Sequence, residues 1–283
     1  MKSIETLVPD IYAVLEGKGG WDKAITEYLS TNISQIAGER FSEEQRPRDY
    51  LSLSSLGTPC KRKLWYKVNK SKAAKPPSPQ LLGTFFYGDI VEAFVLSLAK
   101  ASGHSVEGEQ TKLSVHGIKG HRDAVIDGVT VDVKSTSTYG FQKFAQGKLR
   151  EDDPFGYISQ LSSYVYAGKD DPLVKDKKRG AFLVLKKERF ELCLDMYDFS
   201  EELKKKEQEV EGIKKLVAGD LPKQRLEPIK QSATSENTKL CAACKGCEFR
   251  DLCWPDVRVF LYSNGPEYLV DVVKEPRVVE LIE

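Results

Sequence analysis

The sequence predicts an α/β fold, in which helices and strands follow one another along a chain of 283 residues. Apolar side chains recur at helical spacing through residues 81–102. Three short strand candidates follow in residues 104–134, and a further hairpin is predicted from residues 181–185 and 190–194. A sheet that packs against helices buries the apolar faces of both kinds of element.

The flanking segments are predicted to be helical at the start of the chain and strand-rich at its end. Residues 1–50 form a mostly helical N-terminal segment, and a core spans residues 51–240. Residues 241–255 form a cysteine segment. The tail, residues 256–283, contains short strand-like runs that either add edge strands or dock a partner.

The composition favours a soluble globular protein without a strong overall charge. Hydrophobic residues make up 40% and charged residues 30% of the chain, and the net charge is +1. Nucleic-acid binding would therefore have to come from local basic patches. No run approaches the roughly 18 apolar residues of a membrane span, and the N-terminus lacks a signal-peptide pattern, so we expect a cytoplasmic protein without a membrane partner. The 6 cysteines favour reduced thiols or metal ligands over disulfides.

The pattern between Asp123 and Lys134 is the strongest candidate for chemistry. Residues 129–134 alternate apolar and polar, and the Asp-Gly pair at 127–128 is a strong hairpin signal. Because successive side chains of a strand point to opposite faces, Asp132 and Lys134 project on the same side. Two acids and a lysine at the ends of adjacent strands suit metal-assisted hydrolysis of a phosphodiester, with the acids on a divalent cation and the lysine at the phosphate.

Each part of this pattern is weak by itself. An Asp-x-Lys on an amphipathic strand is most often a solvated face. Gln160 and Tyr164, on the next predicted helix, share one helical face through their i,i+4 spacing and carry little information alone. The ordered combination of all these residues over about 45 positions carries the argument.

This ordered combination resembles the PD-(D/E)xK nuclease superfamily and, within it, the RecB-like exonuclease branch. Gly-x-x-Asp ends at Asp123, Asp-Val-Lys covers residues 132–134, and Gln-x-x-x-Tyr runs from Gln160 to Tyr164. Members of the branch place a metal-binding histidine or glutamate four residues after a glycine on the preceding helix, and Glu92 matches that position.

The resemblance implies a restriction-endonuclease-like fold, that is, a mixed sheet flanked by helices, with a small iron–sulfur lobe formed from both flanks of a nuclease core. Many relatives have histidine where this chain has Glu92, so the resemblance implies an all-oxygen site that favours Mg²⁺ or Mn²⁺. The implied metal ligands are Glu92, Asp123, Asp132 and the backbone carbonyl of Val133.

The resemblance also implies roles for three further catalytic residues. Lys134 would position the attacking water or stabilise developing charge. Gln160 and Tyr164 would orient the DNA end or the active-site lysine.

A basic and aromatic segment after Cys60 is a candidate binding site for a single DNA strand, through phosphate contacts and base stacking. Its residues are Lys61, Arg62, Lys63 and Trp65. Trp65 is an equally good candidate for the core. Lys143 is a further candidate DNA contact, because it belongs to a predicted loop, residues 135–153, that leaves the acidic strand directly.

The four cysteines of residues 241–253 form the second strong signal. Four soft thiolates in so short a polar segment imply Zn²⁺ or an iron–sulfur cluster. Two ligand sets are open, which differ in whether Cys60 or Cys241 is the fourth ligand. The ligands common to both sets are Cys244, Cys247 and Cys253.

The set that contains Cys60 resembles the iron–sulfur nucleases, which include the CRISPR-adaptation Cas nuclease, the AddB nuclease and related phage exonucleases. In these proteins one cysteine precedes the nuclease core and a Cys-x2-Cys-x5-Cys pattern follows it. The resemblance favours a 4Fe-4S cluster on this set, with Zn²⁺ as the alternative and Cys241 as a spare thiol. Such a centre would tie the two flanks together and add its binding free energy to folding, as a structural cluster without electron transfer.

The expected function is a Mg²⁺- or Mn²⁺-dependent DNA exonuclease that acts on single strands or DNA ends in recombination, replication or phage DNA processing. The expected setting is the cytoplasm of a bacterial or phage-infected cell, with DNA as the partner and a second copy of the chain or a recombination protein as further candidates. A CRISPR spacer-processing nuclease, a structure-specific endonuclease and a non-catalytic iron–sulfur DNA-binding subunit are the alternatives. No Gly-x4-Gly-Lys-Ser/Thr loop occurs, so this chain has no helicase motor of its own.

Overall fold

The computed structural model of the chain describes residues 2–42 and 49–281. The described chain divides into two compact units. Unit 1 comprises residues 2–42, Leu51–Gly57 and Ser78–Lys214, and unit 2 comprises residues 49–50, Thr58–Pro77 and 215–281. Residues 43–48 of the predicted N-terminal segment and residues 282–283 of the tail lie outside the described residues.

The two units differ from the predicted domain boundaries. Residues 58–77 and 215–240 group with the cysteine segment and the tail, and not with the core. Unit 2 therefore combines segments that precede and follow the main segment of unit 1 in the sequence.

Helices and strands occur in both units. The helices are α1 Leu7–Leu15, α2 Lys23–Ser42, α3 Leu53–Leu56, α4 Lys61–Asn69, α5 Pro79–Ala101, α6 Thr138–Ala145, α7 Tyr157–Ala167, α8 Ser200–Ala218, α9 Ala242–Lys245 and α10 Arg250–Cys253. The strands are β1 Val106–Glu107, β2 Thr111–Val115, β3 Ile118–Arg122, β4 Ala124–Ile126, β5 Val129–Thr136, β6 Arg179–Lys186, β7 Glu191–Asp198, β8 Ile229–Lys230, β9 Thr238–Lys239, β10 Arg258–Tyr262, β11 Gly265–Asp271 and β12 Glu280–Leu281.

Unit 1 is built around a five-stranded mixed sheet in the order β1-β4-β5-β6-β7. Strands β5 and β6 run parallel, and the other neighbours run antiparallel. A parallel pair needs a long crossover connection, and α6 and α7 lie in the segment that joins β5 to β6. The prediction of an α/β fold with a mixed sheet flanked by helices is thus confirmed.

Helices cover both faces of this sheet. On one face, α1 and α5 share a core with Val131 and Val133. On the other face, α6 and α7 share a core with Phe182, which pairs with Asp132 across β5 and β6. Since strand side chains alternate between the two faces, Asp132 and Lys134 lie on the side of α6 and α7.

The turn between β4 and β5 follows the predicted Asp-Gly signal. Asp127 and Gly128 both have positive φ, of 49° and 84°, which a type I′ hairpin turn requires. The Asp127 carboxylate also anchors the turn, because its Oδ1 accepts a hydrogen bond from Ser105 N at 3.0 Å and its Oδ2 lies 2.6 Å from Nδ1 of the buried His104. This contact fixes the start of β5.

The predicted loop at residues 135–153 contains a helix, α6. Ser137 caps it, since its Oγ accepts a hydrogen bond from Gly140 N at 3.5 Å. Gly140 lowers the local helix propensity, but Phe141 and Phe144 are buried in the core of unit 1. Tertiary packing therefore supplies the stability that the local sequence does not predict.

The tail forms strands in unit 2. Strands β10, β11 and β12 join β8 and β9 in a second five-stranded sheet, ordered β12-β10-β11-β9-β8, in which all pairs are antiparallel. Of these three strands only β12 is an edge strand, whereas β10 and β11 lie inside the second sheet, so the predicted role of adding edge strands is met only in part.

One helix of the described chain, Pro79–Ala101, is long and apolar enough to cross a membrane by length and composition, with a mean hydropathy of 1.5. The expectation that no run approaches such a length was wrong. Core packing accounts for the C-terminal half of this apolar stretch, because Val95 and Leu98 are buried in the core of unit 1, whereas Leu81 and Phe85 in its first half are exposed. The helix also carries Asp89 and Glu92. Core helices pass the same test of length and composition, so the helix is weak evidence for a membrane span.

Two glycine backbones meet where the segment before α7 packs against residues 51–57. Gly156 has a φ of 74°, and a Cβ on it would lie 1.5 Å from the Gly57 carbonyl oxygen. A Cβ on Gly57 would lie 2.0 Å from the Gly156 oxygen. Both positions therefore require glycine, and this contact fixes the start of α7.

We predict that Gly156→Ala lowers the free energy of unfolding by more than ~1 kcal/mol, because alanine is strained at positive φ and its Cβ would overlap the Gly57 backbone. Gly212→Ala is the matched control. A Cβ there meets no atom within 4 Å, and alanine within a helix is favoured by roughly 0.5–1 kcal/mol over glycine. Urea unfolding followed by circular dichroism measures both changes, and equal midpoints for the two variants would contradict the assignment.

Candidate active site and cysteine centre

Asp123 lies where two strand pairs separate. Strand β3 pairs with β2, whereas β4 pairs with β5 as far as the Ala124–Val131 pair. Beyond that pair, Asp123 Oδ2 accepts a hydrogen bond from Val133 N at 2.8 Å. The carboxylate thus takes the place of a neighbouring strand at this position of β5.

The peptide of Val133 faces the same gap. The N–H and C=O groups of one strand residue point to the same edge of the strand, so the Val133 carbonyl lies on the edge beside Asp123. Where the backbone pairing of two strands ends, a carbonyl oxygen on that edge can bind a ligand in place of a neighbouring strand.

Asp132 and Lys134 form the centre of the site. Asp132 is buried, with 2% of its surface exposed, and its Oδ1 accepts a hydrogen bond from Gln160 Nε2 at 3.2 Å. Its Oδ2 forms an ion pair with Lys134 Nζ but accepts no hydrogen bond of regular geometry. The Lys134 ammonium also lies 5.3 Å from the centre of the Tyr157 ring, an aromatic neighbour that the sequence analysis missed.

Glu92 enters from α5 and is tied to the strands through Gln110. Gln110 Nε2 donates a hydrogen bond to Glu92 Oε1 at 2.5 Å, and Gln110 N donates to the Asp123 carbonyl at 3.2 Å. No motif pointed to Gln110, whose positive φ of 49° is set by the turn before β2.

Burial and neighbouring carboxylates raise the pKa values of Glu92 and Asp123. Burial, together with the charges of Asp132 and Asp89, raises the pKa of Glu92 to about 7, against the opposing effects of Gln110 and Lys134. Burial and the charges of Asp132 and Glu92 raise the pKa of Asp123 well above its usual value. With all three carboxylates ionised, the charge would exceed what Lys134 alone compensates, and in the absence of a cation bound protons relieve this imbalance.

The two other predicted catalytic groups remain protonated at neutral pH. Burial lowers the pKa of Lys134, but the charges of Asp132 and Asp123 outweigh it, so that the pKa is raised overall. Burial and the same two carboxylates raise the pKa of Tyr164. The structure thus brings together all six residues predicted to be catalytic. They are Glu92, Asp123, Asp132, Lys134, Gln160 and Tyr164.

The donor set fits a hard divalent cation by its chemistry. Carboxylate oxygens and a backbone carbonyl are the ligands that Mg²⁺ and Mn²⁺ prefer, and Asp132 Oδ2 is a buried oxygen without a regular hydrogen bond. Among the described residues, no three His, Cys, Asp or Glu side chains already converge as a metal-binding group. The fit therefore rests on donor type and on the unbalanced charge.

The predicted DNA contacts near Cys60 are mostly engaged within unit 2. Arg62 is buried, and its guanidinium donates hydrogen bonds to Cys253 Sγ at 3.3 Å and Tyr66 Oη at 2.7 Å. Such a side chain cannot reach a phosphate, so the prediction that Arg62 contacts DNA was wrong. Lys61 is exposed.

The remaining predicted DNA contacts also have protein partners. Lys63 pairs with Glu248 at 2.9 Å. Trp65 donates from Nε1 to the Gly219 carbonyl at 2.8 Å and packs, partly buried, against the hydrophobic cluster of unit 2, so its alternative role in packing is observed in part. Lys143 pairs with Asp152.

Five cysteines lie in unit 2. Cys60 caps α4, and its Sγ accepts a hydrogen bond from Lys63 N at 3.4 Å. Cys241, Cys244 and Cys247 follow one another on successive turns, through hydrogen bonds from Cys244 N to Cys241 O at 3.0 Å and from Cys247 N to Cys244 O at 3.2 Å.

These thiols act on one another. Burial, a hydrogen bond with Cys241 and the nearby Cys60 raise the pKa of Cys244 to about 12. Burial and the charges of Glu248 and Cys60 raise the pKa of Cys247 to about 11. Cys60 therefore lies close to both cysteines, although at least 184 positions separate it from them in the sequence.

A buried shell surrounds the cysteine group. Tyr66, Phe249 and Trp254 form one hydrophobic cluster with Cys244 and Cys253. The Arg62 guanidinium and the Lys63 ammonium add positive charge beside the thiols. The buried Arg62 cation, with the half-buried Lys63 that also pairs with Glu248, favours a centre that carries negative charge.

We predict that the stability of unit 1 falls with rising pH in EDTA. Between its ordinary pKa and about 7, the folded state keeps a proton on Glu92 that the unfolded chain has lost, so rising pH favours unfolding by on the order of 2–3 kcal/mol in total. Glu92→Gln should remove this contribution to the pH dependence of the free energy of unfolding. Urea midpoints from pH 5 to pH 8 for both proteins measure it, and identical slopes would contradict the assignment.

Comparison with known proteins does not identify a family. No protein-family model and no curated protein sequence matches this chain. One solved structure, "Crystal structure of SSO0001", aligns with 81% of this chain and 96% of its own, at a TM-score of 0.42 and 16% sequence identity. A similarity this weak carries no argument about fold family or function.

Proposed function

We propose that this chain is a Mg²⁺- or Mn²⁺-dependent deoxyribonuclease of the PD-(D/E)xK type, in its RecB-like branch, which acts as an exonuclease on single-stranded DNA or DNA ends. One observation carries the proposal. Glu92 and Asp123, whose pKa values are raised by burial and by neighbouring carboxylates, share a site with the buried Asp132 and one protonated lysine. A phosphodiester and a divalent cation are the substrate and cofactor that such a site suits.

The oxygen ligands come from α5, from β5 and from the junction between β3 and β4. Glu92, Asp123, Asp132 and the Val133 carbonyl would hold the cation, since their mutual repulsion is relieved by added positive charge. When bound, the cation would neutralise phosphate charge and lower the pKa of a water molecule.

Lys134 acts as a cation and not as a base. The charges of Asp132 and Asp123 keep it protonated, so its Nζ can donate hydrogen bonds to a phosphate oxygen and stabilise charge that develops there. The ring of Tyr157 borders its ammonium and limits where it can move.

Gln160 and Tyr164 orient the acidic strand. Gln160 holds Asp132 Oδ1 through its amide, which leaves Oδ2 for Lys134 or a cation. The buried Tyr164 stays protonated beside both aspartates, so its hydroxyl remains a hydrogen-bond donor.

The cysteines of unit 2 would hold a structural 4Fe-4S cluster, with Zn²⁺ as the alternative. The proposed ligands are Cys60, Cys244, Cys247 and Cys253. Cys60 acts on the pKa of both Cys244 and Cys247, which supports it as a ligand. Cys241 acts more strongly on Cys244, so the preference for Cys60 over Cys241 rests on the resemblance to the iron–sulfur nucleases. The cluster would join segments from both sides of the nuclease core and stabilise unit 2.

We predict that the protein degrades end-labelled linear DNA when Mg²⁺ or Mn²⁺ is added and that Lys134→Ala lowers the rate by about 10²–10³-fold, because a charge that stabilises the transition state is lost. The assay compares single-stranded and duplex DNA in linear and circular form. Lys204→Ala is the matched control, since this lysine is 66% exposed and pairs only at the surface of α8 with Glu201.

Each outcome of this assay decides between functions. Loss of linear DNA alone supports an exonuclease, and cutting of circles indicates an endonuclease. If the wild type and Lys134→Ala both bind DNA with the same affinity and neither cuts it, the protein would be a DNA-binding subunit and not an enzyme.

We predict that Cys60→Ala loses most of the iron and sulfide of the anaerobically purified protein, whereas Cys241→Ala retains both. A ligand is required for the cluster and a spare thiol is not. Iron, sulfide and zinc analysis with visible absorbance measures the outcome, and Cys193→Ala in unit 1 is the matched control. If Cys60→Ala retained its iron and sulfide while Cys241→Ala lost them, Cys241 and not Cys60 would be the fourth ligand.

A further inference from the structure

Phe155 is an exposed aromatic residue beside the candidate active site. Its side chain is 64% exposed, and it lies two positions before Tyr157, whose ring borders the Lys134 ammonium. Single exposed apolar rings are common on protein surfaces, so what sets Phe155 apart is its position beside the predicted phosphate-binding lysine.

The turn that carries Phe155 is rigid. Asp153 accepts hydrogen bonds from Tyr157 N at 3.0 Å and from Ile158 N at 2.9 Å, and so caps α7. Gly156 packs directly on the Gly57 backbone. Phe155 therefore cannot fold back onto the core by a change in the turn.

Phe155 and Tyr157 form a short aromatic ladder that leads to Lys134. The two ring centres are 5.4 Å apart with 32° between their planes, and the Lys134 Nζ lies 5.3 Å from the Tyr157 centre. Tyr157 is in turn held by Phe144 and Phe182, at 6.2 Å and 6.4 Å. The outer ring thus lies two contacts from the lysine proposed to bind phosphate.

A second exposed aromatic residue is linked to the same turn. Tyr139, at the start of α6, is 70% exposed, and its ring lies 4.9 Å from Lys143 Nζ. Lys143 also donates to the Asp152 backbone carbonyl at 3.3 Å and pairs with the Asp152 carboxylate. The charge of Lys143 is therefore largely compensated, and the free surface here is aromatic.

We propose that Phe155 is a stacking platform for the unpaired nucleobase next to the scissile phosphate, and that Tyr139 contacts another base of the same strand. The inference rests on the proposed nuclease function and adds the recognised substrate, a single strand with accessible base faces. Every base presents a π-face, so this contact tolerates any sequence. In a duplex the faces are stacked on neighbouring bases, so the platform favours single strands and frayed ends.

The test measures the coupling between one protein ring and one base. A 12-nucleotide oligothymidine, labelled with fluorescein at one end and carrying a single abasic site at each position in turn, is titrated with the full chain in EDTA. Anisotropy reports binding without cleavage. We expect wild-type binding to weaken by about 5- to 150-fold when the abasic site meets Phe155.

The variants assign this position. Phe155→Ala should bind the intact strand as weakly as the wild type binds the strand whose abasic site meets Phe155. The variant should bind that abasic strand no more weakly than the intact strand. Phe155→Trp should keep the wild-type pattern, and Tyr139→Ala should lose sensitivity at a different position. Leu15→Ala, which removes a side chain of unit 1 that is 47% exposed, should match the wild type.

Several results would overturn the proposal. The first is that an abasic site weakens binding equally at every position. The second is that Phe155→Ala still binds more weakly when the abasic site is at the position sensitive in the wild type. The third is that Tyr139→Ala loses sensitivity to an abasic site at the same position as Phe155→Ala. Thermal unfolding of Phe155→Ala should match the wild type, because the ring is mostly exposed, and this excludes misfolding as the cause. If the wild type cuts DNA but shows no coupling, only this inference fails, whereas a protein that neither cuts nor binds DNA would fail the proposed function itself.

Discussion

The repulsion among three clustered carboxylates is the constraint on which unit 1 depends. Burial and neighbouring charges raise the pKa values of Glu92 and Asp123, and a single ammonium, on Lys134, opposes them. Hydrogen bonds from Gln110, Gln160 and the β5 backbone hold these groups in place. The fold therefore maintains an electrostatic cost that a bound cation would relieve, and such a cost persists in proteins chiefly where function requires it.

The mixed sheet makes this arrangement feasible. Because the pairing of β4 with β5 ends before Val133, the Val133 N–H donates its hydrogen bond to Asp123. The parallel pairing of β5 with β6 requires a crossover, and this crossover places α6 and α7 over the face of the sheet that carries Asp132. That crossover also carries Gln160 and the aromatic turn before α7. Gln160, Tyr164 and the proposed base platform thus come from one connection, which lies over the face of β5 that carries Asp132 and Lys134.

Unit 2 depends on a different kind of closure. Its cysteines come from two segments that precede and follow the main segment of unit 1, and Cys60 lies beside Cys244 and Cys247. Arg62, read from the sequence as a DNA contact, is instead a buried partner of Cys253. Basic residues next to aromatic residues look alike in a sequence whether they bind phosphate or support a sulfur centre, since only burial separates the two roles.

The sequence by itself determined the mixed order of helices and strands, the Asp-Gly turn and the six candidate catalytic positions, because period, turn chemistry and motif spacing are local properties. Helix α6, the contact of Gln110 with Glu92, and the ring of Tyr157 against Lys134 depend on residues distant in sequence. So does the choice between Trp65 as a core residue and as a DNA contact. Only the tertiary structure decided these, since packing and burial overrule local propensity wherever distant segments meet.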